Sequence, residues 1–416
     1  MTRSAYSQAV KSGRYAEGCG LRGKYDHVRT RWEDALTAQR IAPFVSSLTA
    51  RKRAASDGVR VLELGCGAGD GVAFLTKVAD PAAPLAADAR ACLPIEAIGA
   101  YRGIDINEDL LAEARERFTG CDSFAFEMAD ISQGLPAEPG EAPYDIYFTS
   151  FGTLSHLHDG ETERLLRGIA DHADPGAVVV CDWLGRYSYE WQDLWRQGSD
   201  REQWMDYRIS YIYSEEERRE REIESFPLKL VGGSDVDRML AAANEGGGKR
   251  LVVRTMFDRS TLIGRHMETG EYNGNPMLLR EAVNSLWEPG LRTDLRRLVA
   301  RYRPREGFET QNDFFGRLFD SWNSVVEHAQ GLWAGDIQPG GAARQARAGH
   351  DDDPATALCD ALEQSLSAAQ WYAGDDLRAD VLEPQLAAVL RTLEARMQPG
   401  WGSGHGIVAI CEVENA

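Results

Sequence analysis

Glycine occupies every second position from 65 to 71, directly after a short apolar run. A glycine after a buried strand lets the backbone approach a ligand and begin a helix without a clash from Cβ. The amides at that helix start can then face a ligand group. The spacing does not fit the dinucleotide pattern G-x-G-x-x-G, because its last glycine would fall on Asp70 or on Val72. The pattern present is E-x-G-x-G-x-G, from Glu63 to Gly69.

Three histidines are candidates for acid–base chemistry, because imidazole titrates near neutral pH: His156, His266 and His405. We select His156 and His266 as the candidate catalytic residues. An equal alternative for His156 is a residue packed against the sheet where a helix begins. His158 and Asp159 would need a third ligand to bind a metal, and the spacing offers none, so no metal is expected.

Two arginines beyond residue 258 could bind a carboxylate of the substrate. The planar guanidinium groups of Arg259 and Arg265 can form paired hydrogen bonds with such a group. The alternative has equal weight: both arginines pair with acids, such as Asp258, Glu268 and Glu271, and brace a lid.

Aromatic residues supply the remaining substrate-binding candidates. Trp183 and Tyr187, with Tyr189 and Trp191, could line an apolar pocket, or could form core between a sheet and an insertion. Tyr272 could orient a substrate or take part in a turn.

Composition limits the class of partner. The 416-residue chain has a formal net charge of −19, which repels phosphate backbones, so nucleic acid is not an expected partner. No segment approaches the roughly 20 apolar residues that span a bilayer, so no membrane partner is expected. The seven cysteines are dispersed and form no C-x-x-C pair, and no apolar leader is visible, which together favour a cytoplasmic protein. The sequence leaves the oligomeric state open, and a homodimer is one of the states considered.

The order of strands and helices predicts a layered α/β fold. Apolar runs predict five strands in the first half, a sixth strand and a last strand near the C-terminus: 59–64, 100–105, 123–130, 144–151, 177–184, 249–257 and 406–413. Helical patterns lie at 107–118, at 160–173 and from Ser234 to Ala243. This alternation predicts a doubly wound, seven-stranded, mostly parallel sheet.

Two long insertions interrupt the predicted core. The boundaries are 1–54 (N-terminal helical segment), 55–185 (core), 186–233 (first insertion), 234–258 (core), 259–402 (helical insertion, a substrate lid) and 403–416 (last strand). In the first insertion, 207–214 and 226–231 could pair as a hairpin. The second insertion has two apolar helical stripes, and Pro384 starts or kinks the later helix. Residues 336–354 predict a mobile surface loop.

The glycine pattern, together with the residues that end the next three strands, resembles class I S-adenosylmethionine-dependent methyltransferases. This resemblance covers roughly 55–185, 234–258 and 403–414, and it implies a Rossmann-like core with S-adenosylmethionine as the cofactor. In the family, the glycine loop wraps the methionine portion of the cofactor, which here implies Glu63, Gly65, Cys66, Gly67 and Gly69.

The other cofactor residues follow from the same resemblance. Asp105, with Ile106, stands where the family binds the ribose, and Asp109 is a weaker candidate because the preceding loop is long. Asp130 and Ile131 stand beside the adenine position, while Ser150 and Phe151 lie in the segment that faces the sulfonium. Tyr25 is the candidate for an N-terminal segment folded over the cofactor.

The function that this resemblance implies is in-line methyl transfer to a small molecule, with specialised natural-product metabolism as the expected setting. Two alternatives use the same fold: transfer of the aminocarboxypropyl group or cyclisation of the cofactor, and non-catalytic binding. A protein substrate is less expected, because a large lid leaves little room for a peptide groove.

Overall fold

The computed structural model describes residues 19–79, 91–198, 201–337 and 354–416. Within that part of the chain, one sheet contains nine strands. They are β1 (Val59–Leu64), β2 (Ile98–Asp105), β3 (Phe124–Met128), β4 (Ile146–Thr149), β5 (Val178–Gly185), β6 (Gln203–Arg208), β7 (Ser225–Val231), β8 (Lys249–Arg259) and β9 (Gly406–Asn415).

Seven strands form the continuous sheet, in the order β8-β9-β5-β4-β1-β2-β3. Strands β1 to β5 are parallel, and β9 runs antiparallel between β5 and β8. The predicted seven-stranded, mostly parallel Rossmann-like sheet is therefore confirmed. The strand runs are apolar on both faces because helices cover both sides.

The helices of the described residues are α1 (Asp34–Ala54), α2 (Asp70–Leu75), α3 (Glu108–Arg117), α4 (Asp159–His172), α5 (Glu215–Glu220), α6 (Gly233–Asn244), α7 (Leu279–Ser285), α8 (Glu309–Ala334), α9 (Pro354–Ala368) and α10 (Glu383–Arg396). Asn107 caps α3, as its side chain accepts from the amides of Asp109 and Leu110. Pro384 stands in the first turn of α10, where proline is tolerated. No helix in these residues is long and apolar enough to cross a bilayer.

Three apolar clusters make up the interior. One joins a sheet face to α4 and α6, and a second joins the other face to α1, α2 and α3. The third is built from both insertions and the N-terminal segment, with Trp32, Phe315 and Trp322 fully buried in it. Because the insertions and the N-terminal segment share one core, they form a single layer of structure beside the sheet.

The first insertion differs from its prediction. Strand β6 pairs antiparallel with β7, but residues 209–214 do not extend the hairpin. Strand β7 then joins the main sheet, where its Leu230 and Val231 pair with Leu184 and Gly185 of β5. The hairpin therefore extends the sheet beyond the short strand β4.

Two smaller predictions have other outcomes. The helix predicted from Ser234 to Ala243 is α6, which begins at Gly233 and has Gly232 as its N-cap. Most of the predicted loop at 336–354 lies outside the described residues, as do residues 1–18 and 80–90.

Candidate active site

A deep cavity opens at the carboxyl edge of the parallel strands, where ligands bind in open α/β sheets. It encloses about 1270 Å³ of space not filled by atoms, part of it open to solvent. One half is walled by the glycine turn after β1 and by the ends of β2 to β4. The other half is walled by the insertions and by His405, just before β9.

The alternating glycines have different structural reasons. A Cβ on Gly65 would clash with Thr153, one on Gly69 would clash with Phe118, and one on Gly71 would clash with the Glu63 carboxylate. Gly67 differs, because a Cβ there would meet nothing closer than 3.9 Å, and the residue lines the cavity. Gly65, Gly67 and Gly69 have positive φ angles, which only glycine adopts without strain. Gly67 is thus the position where the missing side chain leaves room for a ligand.

Asp105 ends β2 and lines the cavity beside the glycine turn. Its Oδ2 accepts a hydrogen bond from the Gly67 amide at 2.8 Å, and its Oδ1 accepts one from the Asn107 amide at 2.9 Å. Each carboxylate oxygen keeps a second lone pair. Burial raises the pKa of the carboxyl from its ordinary value. The side chain therefore fixes the turn and can still accept hydrogen bonds from a pair of ligand hydroxyls.

The residues that the sequence assigned to the cofactor divide into two groups. Those that line the cavity are Gly65, Cys66, Gly67, Asp105, Ile106, Ile131, Ser150 and Phe151. The remaining four, Tyr25, Glu63, Gly69 and Asp130, are not among the lining residues and support the site from behind.

The supporting role of these four residues is visible in their contacts. The Tyr25 hydroxyl donates to Asp70 at 2.5 Å, and the Asp130 carboxylate caps the turn at Ser132. Glu63 is 1% exposed and accepts a hydrogen bond from the Tyr101 hydroxyl. Burial raises the pKa of Glu63 to about 8.

The segment before α1 is tied to both the glycine turn and the second insertion. Lys24 donates to Asp70 at 2.7 Å, at the start of α2. Burial acts to raise the pKa of Asp70, but Lys24 holds it well below its usual value. Asp26 and Glu33 both accept hydrogen bonds from the buried Arg280 of α7. The segment that carries Lys24, Arg29 and Glu33 therefore forms a fixed wall of the cavity.

The loop after β4 carries Ser150 and Phe151 at the centre of the cavity wall. Phe151 has a φ of 56°, an uncommon conformation for a residue with a side chain. The Asp182 carboxylate accepts hydrogen bonds from the amides of Phe151 and Gly152 and thereby holds this loop. Arg259 pairs with the same carboxylate, so it forms an ion pair with an acid, as the second alternative expected, but the acid is Asp182.

Arg265 reaches the same cavity from the second insertion and is 7% exposed. Its Nη2 donates to the Lys24 carbonyl at 3.3 Å and lies 3.6 Å from the Glu33 carboxylate. Its buried Nη1 has no hydrogen-bond partner in the described part of the chain. The residue, with Tyr211, also lines a second cavity, whose roughly 1760 Å³ of space not filled by atoms includes open solvent. Arg265 therefore lies where a route from solvent would meet the inner cavity.

The two histidines that the sequence selected occupy different places. His156 lines the cavity and stacks on Phe226, and burial lowers its pKa to about 4. His266 does not line the cavity: it is 2% exposed, and its ring packs against Tyr207, Tyr211 and Tyr272. Burial and nearby cations hold the pKa of His266 well below its usual value. His266 thus stays neutral and supports the tyrosine wall.

Three aromatic residues that were predicted to bind substrate are not among the lining residues. Trp183 is fully buried between the sheet and α6. Tyr187 packs edge-on against Trp195. The Tyr272 hydroxyl donates to the Asp206 carbonyl and accepts from the Arg208 amide, which fixes β6. Trp183 is therefore a core residue, whereas Tyr187 and Tyr272 are partly buried and pack against the core of the insertions.

Several lining residues escaped the sequence reasoning. The apolar members are Leu110, Ala129, Leu184 and Leu228, and the polar or aromatic members include Lys24, Arg29, Glu33, Asn107, Tyr207 and Tyr211. Tyr207 and Leu228 lie on the two strands of the hairpin. A prediction that this hairpin pairs with β5 would have placed both residues at the cavity.

These features fit S-adenosylmethionine. The space beside Gly67, the free lone pairs of Asp105 and the apolar surface of Ile106, Leu110 and Ile131 match the amino-acid, ribose and adenine parts of that molecule. His158 lies outside the cavity and pairs with Glu202. Among the described residues, no group of three or more metal-ligating side chains is arranged around a common point.

Comparison with known proteins gives a family match. Residues 62–179 match the family model described as a methyltransferase domain. No curated protein sequence matches the chain. This matched segment runs from within β1 to the start of β5, and it includes the glycine turn and Asp105.

Solved structures with similarity include DesVI of Streptomyces venezuelae, at 17% identity over 54% of this chain and 87% of that chain, with a TM-score of 0.33. CcbJ of Streptomyces caelestis has 17% identity over 54% and 80%, with a TM-score of 0.34. CalS10, an amino pentose methyltransferase from Micromonospora echinaspora involved in calicheamicin biosynthesis, has 18% identity over 54% and 88%, with a TM-score of 0.29. These scores are too low to define the fold, which the strand order defines.

Residues 62–179 thus match a methyltransferase domain, and this match together with the strand order supports a class I S-adenosylmethionine-dependent enzyme whose cofactor is S-adenosylmethionine.

Proposed function

We propose that the protein transfers a methyl group to a small molecule enclosed between the sheet edge and the two insertions. The observation that carries this proposal is the continuity of the cavity. It runs from the glycine turn at Gly67 to a chamber walled by Tyr207, Tyr211 and Leu228 of the first insertion and by Arg265 of the second. An acceptor must fit inside this chamber to reach the cofactor half.

In the cofactor half, Asp105 would hold the ribose hydroxyls and Ile106 and Ile131 would contact the adenine. Lys24 and Arg29, which line the same wall, would offset the negative charge of the amino-acid carboxylate. Bound S-adenosylmethionine supplies an electrophilic methyl group on a positively charged sulfur. The protein's part is to orient the acceptor in line with that methyl and to exclude water, which can contribute about 7–11 kcal/mol in the best cases.

Arg265 indicates one chemical property of the acceptor. A buried guanidinium with an unpartnered Nη1 has a hydrogen bond left to donate, and leaving it unmade is costly. A carboxylate on the acceptor would satisfy it. We therefore propose an organic acid of natural-product size, which is consistent with specialised metabolism. The net charge of −19 disfavours a nucleic acid.

The test uses S-adenosylmethionine with a deuterated methyl group and a cell extract separated into small metabolites, proteins and nucleic acids. The expected result is labelled product in the metabolite fraction only, with S-adenosylhomocysteine as co-product. Methylthioadenosine as co-product would indicate that another part of the cofactor is transferred. Label in the protein or nucleic-acid fraction would contradict an enclosed small-molecule acceptor.

The matched control is Gly67→Ala, whose added Cβ would occupy the space reserved for the cofactor. Label that depends on this enzyme should disappear with the variant. Label that persists would come from another methyltransferase in the extract.

A further inference from the structure

A buried carboxylate lies directly behind one histidine of the acceptor chamber. Glu190 belongs to the short helical turn Tyr189–Leu194 of the first insertion and is 0% exposed. Its Oε1 lies 2.8 Å from Nδ1 of His405, which lines the cavity from the segment before β9. The two residues are 215 positions apart in the sequence, so only the fold brings them together.

The surroundings of Glu190 are built around its carboxylate. The backbone amide of His266 donates to Oε2 at 2.5 Å, and the Ser188 hydroxyl donates to Oε1 at 3.2 Å. A Cβ on Gly264 would lie 1.9 Å from the same carboxylate, so glycine is required beside it. These donors give both carboxylate oxygens of Glu190 a hydrogen-bond partner at a site without solvent.

This contact determines which nitrogen of His405 faces the acceptor. A carboxylate accepts, so Nδ1 carries the proton that it donates, and in the neutral ring Nε2 keeps a free lone pair. Among the described residues, the side chain of His405 makes polar contact with Glu190 alone. Trp191 and Tyr207 pack against the ring and hold its plane. His405 therefore presents a basic nitrogen at the wall of the chamber.

The other two histidines are less suited to accept a proton from a substrate. His156 has a pKa of about 4, which makes it a weak base at neutral pH. Nε2 of His266 is buried without a partner and does not reach the cavity.

We infer that the acceptor atom is a hydroxyl oxygen and that His405, oriented by Glu190, is the general base that removes its proton. This inference rests on the proposed methyl transfer to a small molecule. A neutral amine attacks through its own lone pair, whereas a hydroxyl becomes nucleophilic as its proton leaves, so an oriented imidazole serves a hydroxyl.

The step balances as follows for the residues and the acceptor. The O–H bond of the acceptor breaks and its proton passes to Nε2 of His405. The oxygen forms a bond to the methyl carbon as the carbon–sulfur bond breaks, and that electron pair stays on sulfur. The imidazolium is stabilised by the Glu190 carboxylate until the proton returns to solvent. Glu190 acts through His405 and is a positioning residue.

The test compares the wild-type protein with His405→Asn, with His158→Asn as matched control, because His158 also pairs with a glutamate but lies on the surface. With deuteromethyl S-adenosylmethionine and the small-metabolite fraction, His405→Asn should lower the rate of product formation about 10²–10⁴-fold. Affinity for S-adenosylhomocysteine should stay unchanged, and the labelled product should be an O-methyl ether. A wild-type rate in His405→Asn, an N-methyl product, or a parallel loss of S-adenosylhomocysteine binding would overturn the assignment.

A second measurement does not depend on the acceptor. Nitrogen-15 NMR of the imidazoles in the wild-type protein should show the proton of neutral His405 on Nδ1. Glu190→Gln should populate the opposite tautomer, because the amide can donate to Nδ1, and should lower kcat while KM changes little. A proton on Nε2 in the wild type would overturn the inference. If instead the proposed function fails, the wild type itself gives no labelled metabolite, whereas the NMR result still stands.

Discussion

Arg259, which lines the candidate cavity, forms a bidentate ion pair with Asp182, with Nη1 2.6 Å from Oδ2 and Nη2 3.2 Å from Oδ1. Both side chains are about 97% or more buried. The same carboxylate holds the amides of Phe151 and Gly152. This pair therefore couples the end of β8 to the loop that lies at the centre of the cavity wall.

Arg259→Met should destabilise the fold by about 3–5 kcal/mol, because it leaves the buried Asp182 carboxylate without its cation. The free energy of unfolding from urea denaturation would measure this. Arg254→Met on the same strand is the matched control, since Arg254 pairs with Glu412 and Glu414 at the surface and its loss should change stability little. Equal losses in the two variants would contradict the structural role of the Arg259 pair.

Gly67→Ala and Gly71→Ala should have separable effects. The first adds a Cβ that faces the cavity, so we expect affinity for S-adenosylhomocysteine to fall at least about tenfold, with about 1–2 kcal/mol of stability lost to its positive φ. The second places a Cβ 2.1 Å from the Glu63 carboxylate and should cost about 1–3 kcal/mol of stability. Calorimetry and thermal unfolding would separate the two. Unchanged binding in Gly67→Ala would place the cofactor elsewhere.

Asp105→Ala should weaken S-adenosylhomocysteine binding by about 1.5–3 kcal/mol, or about 10- to 150-fold, because a charged acceptor for the ribose is lost. The affinity of Asp105→Asn should lie between those of the wild type and Asp105→Ala, since its amide oxygen can still accept from the Gly67 amide. Asp109→Ala is the control, because Asp109 is exposed on α3. An effect of Asp109→Ala larger than that of Asp105→Ala would reverse the assignment of the ribose partner.

Stability should fall with rising pH because of Glu63. Burial raises its folded-state pKa from 4.5 to about 8, so the folded protein binds this proton more tightly than the unfolded chain does. The associated stability is fully present below about pH 4.5 and is lost as pH rises through about 8, by about 5 kcal/mol at most. Glu63→Gln removes this contribution. Urea unfolding of cofactor-free protein between pH 5 and pH 8.5 should show a steeper decline for the wild type, and parallel curves would show that Glu63 does not titrate in this way.

Arg265→Gln should raise KM for the labelled acceptor about tenfold or more, since the charged hydrogen bonds to its carboxylate are lost. Affinity for S-adenosylhomocysteine should not change. The KM of Arg265→Lys should lie between those of the wild type and Arg265→Gln, because lysine keeps the charge without the planar pair of donors. A loss of cofactor affinity as large as the rise in KM would assign Arg265 to the cofactor half.

The sequence by itself determined the mostly parallel sheet and the match of residues 62–179 to a methyltransferase domain. Local patterns sufficed there, because a buried strand is apolar along its length and a tight turn after it needs glycine. The end of β1, the glycine turn and Asp105 all lie within the matched residues 62–179. The sequence could also offer Arg259 and Arg265 as a pair of similar candidates.

Only the tertiary structure decided between those two arginines, by burying Asp182 against Arg259 and leaving Nη1 of Arg265 without a partner. It likewise placed His266 behind the tyrosines and set His405 against Glu190, a residue with no motif around it. Such pairings join positions far apart in the chain, and they depend on how the insertions pack against the sheet. No local spacing encodes that packing, so the acceptor half of the site emerged from the fold alone.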